Sequence, residues 1–139
     1  MVLSPQRAVL VSNPSNLIGT PYVYGEFDCI QLVLTALEQM GIDAPPLNRQ
    51  WYDMTPMQWG RDLIRWGKRV DVPQYDGDIL VQPNPRGFSV IWQSGVLHIS
   101  PHTKAVHWLP LEAFIPRCSR MSDNSSRLSA YRSRTIATN

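Results

Sequence analysis

The stretch from Ile18 to Gly41, I-G-T-P-Y-V-Y-G-E-F-D-C-I-Q-L-V-L-T-A-L-E-Q-M-G, constrains the fold more than any other part of the chain. Gly19, Pro21 and Gly25 punctuate its first third, and none of them suits the interior of a regular element. Asp28 is a good N-cap, because its carboxylate can accept the orphan amide protons of a first helical turn. From there Ile30, Val33, Leu34, Leu37 and Met40 recur at helical spacing, and Gly41 is placed to close the helix. The pattern predicts a turn-rich approach and one amphipathic helix from about Cys29 to Met40, with Cys29 in its first turn. Free amides and the positive end of the helix dipole favour thiolate over thiol at that place, which is one route to a sulfur nucleophile. The competing reading is that Cys29 is a small apolar residue packing the helix onto the core.

Residues 5 to 17 read as a short helix or irregular lead-in broken by Pro14. Asp43-Ala44-Pro45-Pro46-Leu47-Asn48 must be extended or turned, since two prolines forbid helix. Thr55-Pro56-Met57-Gln58 marks a second helix start: an N-cap threonine, proline at the first helical position and glutamine where a capping box needs it. That helix is expected over about Pro56 to Trp66. Strands are expected near 78–82, 87–93, 96–100 and 104–109, with Ser94-Gly95 as a two-residue hairpin turn. The fold class is therefore α+β. From Ser122 to Asn139 serine, arginine, threonine and asparagine dominate, and apolar residues thin out. This segment is expected to be a tail, disordered or held by a partner, following one domain over residues 1–121.

At 139 residues the chain is one domain, large enough for a core without staples. Twelve prolines and five tryptophans point to a loop-rich fold with large aromatic contacts. A net charge of +2 gives no support for nucleic acid as a partner. Arg127, Arg132 and Arg134 are expected on a solvated or protein-bound arm. Two cysteines, Cys29 and Cys118, offer no disulfide framework. No apolar run approaches the roughly 18 residues of a membrane span. Met1-Val2-Leu3-Ser4-Pro5 lacks the charged and apolar regions of a secretion signal, so none is expected. His98, His102 and His107, with the two cysteines, show no metal-ligand spacing, and neither metal nor cofactor is expected.

The wording G-T-P-Y-V-Y-G-E-F-D-C followed by an apolar helix resembles the nucleophile segment of the NlpC-type cell-wall peptidases, compact papain-like cysteine enzymes. Asp76-Gly77-Asp78-Ile79-Leu80-Val81 is similar to the Gly-Asp lead into that family's first strand. Val96-Leu97-His98-Ile99-Ser100 is similar to its strand ending in a functional histidine, and Val106 to Phe114 to its closing strand and short helical turn. The likeness spans most of residues 15 to 121. It implies a papain-like fold in which a central helix carrying the cysteine packs on a small antiparallel sheet. It implies Cys29 as nucleophile, Tyr22 as the tyrosine lining the site, and His98 as the histidine that orients the base. The sequence departs from the family at the base itself. Ungapped alignment puts Gly87 where that histidine belongs, a shifted one puts Ser89 there, and neither can take a proton from a thiol near neutral pH. With Ser94-Gly95 as the turn, Gly87 would lie opposite His102, making His102 a possible substitute, while His98 acting directly on Cys29 is the other.

The resemblance implies a bacteriophage tail-tip component, descended from peptidoglycan hydrolases and degraded to a structural role by the missing base. Its partners would be other phage tail proteins, and its place the virion after cytoplasmic synthesis. The alternative is an active peptidoglycan endopeptidase using Cys29 with His98 or His102. An amidase exported by a dedicated machine is a third reading, to which no particular residue points.

Overall fold

A computed structural model describes residues 14–83, 86–114 and 128–134. A single 3-10 turn, Pro14–Leu17, leads into helix α1, Cys29–Gln39. Asp28 caps α1, accepting the Gln31 backbone N–H at 3.0 Å, and Gly41 adopts φ 75°, the left-handed conformation that ends a helix. A second 3-10 turn, Arg49–Asp53, precedes helix α2, Pro56–Trp66. Thr55 and Gln58 form the expected capping box there, so both helix starts follow from local sequence chemistry.

Among the described residues six strands follow: β1 Gly67–Val70, β2 Ile79–Pro83, β3 Arg86–Trp92, β4 Gly95–His98, β5 His107–Pro110 and β6 Ser129–Ser133. They form one sheet in the order β1-β6-β2-β3-β4-β5, with every pairing antiparallel. The chain is thus a mixed α+β domain. Strand alternation divides the apolar side chains between two faces. Ile79, Val81, Phe88, Val90 and Leu97 join Ile30, Leu32, Val33 and Leu37 of α1 and Trp51, Trp59 and Leu63 in the larger core. Leu80, Ile91, Val96, Ala130 and Phe114 form a smaller cluster on the other face.

Three expectations need correction. The tail proposed for 122–139 is, over Ser129–Ser133, a strand between β1 and β2. Its polar residues suit that place because Arg132 pairs with buried Asp78 and Ser133 pairs with Gly67, while Tyr131 enters the larger core. Residues 122–127 and 135–139, like the lead-in 5–13 and Cys118, lie outside the described residues. Arg134, for its part, donates to the Ile64 carbonyl at 2.6 Å rather than standing on a solvated arm. Secondly, the β3–β4 hairpin turns at Gln93-Ser94, with φ 51° and 61°, and not at Ser94-Gly95. Gly95 is needed in the strand, opposite Trp92, because the Trp108 indole occupies the space a Cβ would fill. Thirdly, β1 follows α2 directly, at residues for which no strand was expected.

Among the described residues no helix is long and apolar enough to cross a membrane.

Candidate functional site

Local chemistry builds the site around the start of α1. Asp28 is fully buried, and besides capping the helix it accepts from Arg49 Nε at 3.3 Å. Arg49 also donates to the Glu26 carbonyl at 3.0 Å, so its guanidinium ties the Arg49–Asp53 turn to the approach of α1. Trp51 anchors that turn from the inside: it is buried, and its carbonyl accepts from Trp59 Nε1 at 2.8 Å. The next residue, Tyr52, is thereby delivered to the cysteine. Its hydroxyl lies 3.5 Å from Cys29 Sγ.

Cys29 is in the first turn of α1, as the spacing predicts, and is not in a disulfide. Its ionisation runs opposite to the expectation for a helix start. Burial is the largest influence and pushes the thiol above its ordinary value, and the negative charge of Asp28 pushes the same way. Hydrogen bonds from the Tyr52 hydroxyl and the Phe88 backbone N–H favour thiolate but do not reverse the result. Burial outweighs the helix start here, and the neighbouring N-cap is itself a buried carboxylate. Tyr52 is pushed far above the ordinary phenol range, by burial first and then by the Cys29 charge.

Cys29 lines a cavity of about 330 Å³ together with Tyr22, Tyr24, Tyr52, His102 and Gln82. Tyr22 is half-buried, held by its N–H on the Lys104 carbonyl at 2.8 Å, and its phenol is raised by burial, then by Asp28 and Cys29. Gly87, Ser89 and His98 also contribute to the wall, at the end of the sheet where β3 begins and β4 stops.

On β4, Leu97 belongs to the core that α1 covers and Val96 to the opposite cluster, so His98 shares the face of Val96. Its contacts agree. His98 Nδ1 is 3.1 Å from His107 Nε2, directly across the β4–β5 pair, and its ring lies 5.4 Å from that of Phe114 in the opposite cluster. His98 Nδ1 thus meets the imidazole of His107, while His98 also contributes to the wall of the cavity that Cys29 lines. The same alternation orders the residues at the start of β3. Gly87 and Ser89 share the face of Ile91, whereas Phe88 is on the α1 face, with its backbone N–H on the sulfur and its ring against Trp51 and Trp59. His102 is exposed, follows the end of β4 and makes no strand pair with Gly87; its backbone N–H donates to Ser100 Oγ at 3.2 Å.

Sequence reasoning missed Tyr52. No motif marks it, since its position depends on Arg49 and Trp51 being held by residues distant in the chain. Among the described residues no group of three or more histidine, cysteine, aspartate or glutamate side chains is arranged to hold a metal ion. No protein-family model matches the chain, and no curated protein matches it.

Proposed function

We propose that this chain is a papain-like domain of NlpC type that has lost hydrolysis and serves as a binding or structural part of a larger assembly, with a bacteriophage tail tip as its setting. The observation that carries the loss of hydrolysis is the surrounding of Cys29. Its sulfur is buried, keeps its proton more tightly than an ordinary thiol, contacts the Tyr52 hydroxyl, and has Phe88 on the strand across from it. A papain-like nucleophile needs an imidazole to share its proton, and the imidazole of His98 meets that of His107. The lineage is supported by the Gly-Glu-Phe-Asp-Cys approach with Asp28 as N-cap, a helix packed on an antiparallel sheet, and Tyr22 in the cavity wall. The tail-tip setting rests on sequence resemblance alone.

The test is incubation of the purified protein and its Cys29→Ala variant with peptidoglycan, following release of soluble fragments. No release from either is expected. Release by the wild type that Cys29→Ala abolishes would overturn the proposal.

One observation favours the hydrolase reading: His102 is exposed and lines the same cavity as Cys29. If that reading is right, His102→Ala will abolish the release of fragments as completely as Cys29→Ala.

A further inference from the structure

We propose that the cavity above α1 is a binding site for an uncharged saccharide, with Tyr24 as its exposed aromatic platform. This rests on the reading of the cavity as a place of binding and not of hydrolysis.

The chemistry of the walls selects the ligand. Tyr22, Tyr24 and Tyr52 surround the opening with His102, Gln82 and Ser100, and among the described residues no lysine, arginine, aspartate or glutamate lines it. Carboxylate or phosphate ligands are normally met by cationic forks, and ammonium ligands by carboxylates. Hydroxyl, amide and imidazole side chains instead both donate and accept, which is the complement of a ligand whose own groups do both. Saccharide hydroxyls have that character. Sugar rings also present flat C–H faces between their hydroxyls, and tyrosine offers an apolar body with a polar tip to match.

Size and exposure point the same way. About 330 Å³ lies at the small end of ligand pockets, suited to one or two rings rather than an extended peptide. Tyr24 is 79% exposed, the most exposed large hydrophobic side chain among the described residues, and it stands at this cavity's wall. Its backbone is set by the turn at Gly25, φ 80°, and by the bridge between Val23 and Phe27. An aromatic ring held on an ordered turn and left in water offers contact area at little further ordering cost.

The experiment is a titration of the full chain with the N-acetylglucosamine dimer, read by chemical shifts or calorimetry, for wild type, Tyr24→Phe and Tyr24→Ala. Binding with a Kd on the order of 1 mM or tighter is expected. Tyr24→Phe should keep most of it, and Tyr24→Ala should weaken it roughly tenfold, as loss of one stacking face implies. Because Tyr24 is exposed, neither variant should change the melting temperature. No binding by the wild type, or binding indifferent to Tyr24→Ala, overturns the proposal. So does preferential binding of a charged wall-stem peptide offered in parallel. Fragment release from peptidoglycan is measured separately, so loss of the non-hydrolytic reading and loss of the saccharide site are distinct outcomes.

Discussion

Arg132 grips Asp78 at two points, Nε on Oδ1 at 2.8 Å and a terminal nitrogen on Oδ2 at 2.9 Å, across 54 residues of sequence. Asp78 is fully buried and its Oδ2 also accepts the backbone N–H groups of Gln74 and Tyr75, at 2.9 and 3.1 Å. The guanidinium carbon sits 4.1 Å from the centre of the Tyr75 ring. One carboxylate thus organises the loop before β2 and locks β6 beside it. Removing either partner leaves the other charged and buried, which typically destabilises by about 3–5 kcal/mol. Asp78→Asn and Arg132→Met are each expected to lower unfolding free energy by that order in urea titrations. Replacing both by apolar residues should not restore stability, because Gln74 and Tyr75 would still lose their acceptor.

Gly67 is where β1 meets β6, and a Cβ there would collide with the Arg132 backbone carbonyl. Backbone cannot swing aside as a long side chain can. Gly67→Ala is expected to destabilise by about 1–3 kcal/mol through displacement of β1, seen as a lower melting temperature. The same substitution at Gly87, where a Cβ meets open space, should leave stability nearly unchanged.

The raised thiol gives a pH dependence of definite sign. The folded state holds the Cys29 proton more tightly than the unfolded chain does. The associated stability is therefore complete below the unfolded value, about 8.5, and is lost as pH rises through the folded pKa. Wild type should lose more stability than Cys29→Ala between roughly pH 8.5 and 10. Parallel thermal melts over that range check this, and a steeper decline in the variant would contradict it.

Tyr52 should be readable through the sulfur. Its hydroxyl is the largest influence favouring thiolate, so Tyr52→Phe is expected to raise the thiol pKa further. A rise of one unit would slow iodoacetamide alkylation of Cys29 about tenfold at neutral pH. The full pH–rate profile separates this from altered access, which would change the plateau at high pH and leave the midpoint in place.

Phe88→His tests whether an imidazole on this strand can activate the sulfur. It would present an imidazole on the face that α1 covers, at the residue whose backbone N–H meets the sulfur and at a core site whose disruption should destabilise by about 2–4 kcal/mol. Faster alkylation of Cys29 near neutral pH is the expected gain. Gly87→His and Ser89→His, on the other face, should produce none.

The helices were legible in the sequence because their signals are local. Asp28, Gly41, Thr55, Pro56 and Gln58 act within a turn of where they stand, and both α1 and α2 begin at the expected residues. The four middle strands also emerged from their apolar runs, to within a few residues. What stayed hidden depends on partners far away. Gly-Lys-Arg-Val and Ser-Ala-Tyr-Arg-Ser are poor strands alone; the first pairs with the second, and the second also with β2. Gly95 looked like half of a turn until Trp108, brought alongside by β5, showed why no side chain fits. One residue of uncertainty in that hairpin reverses every side chain in β3 and β4. That is why the relation of His98 to Cys29 lay beyond the sequence, although each residue was singled out.

The position of β6 also has a consequence for how the domain is made. Strands β1 and β2 stand on either side of Ser129–Ser133, which leaves the ribosome after the other five described strands have emerged. Until then each of them shows a bare rim of amide and carbonyl groups, the kind of rim that recruits strands from neighbouring nascent chains. Asp78 meanwhile waits without its guanidinium. Synthesis of the last strand therefore sets the moment at which this protein ceases to be sticky, and a shortage of chaperone during that interval should show first as insoluble product.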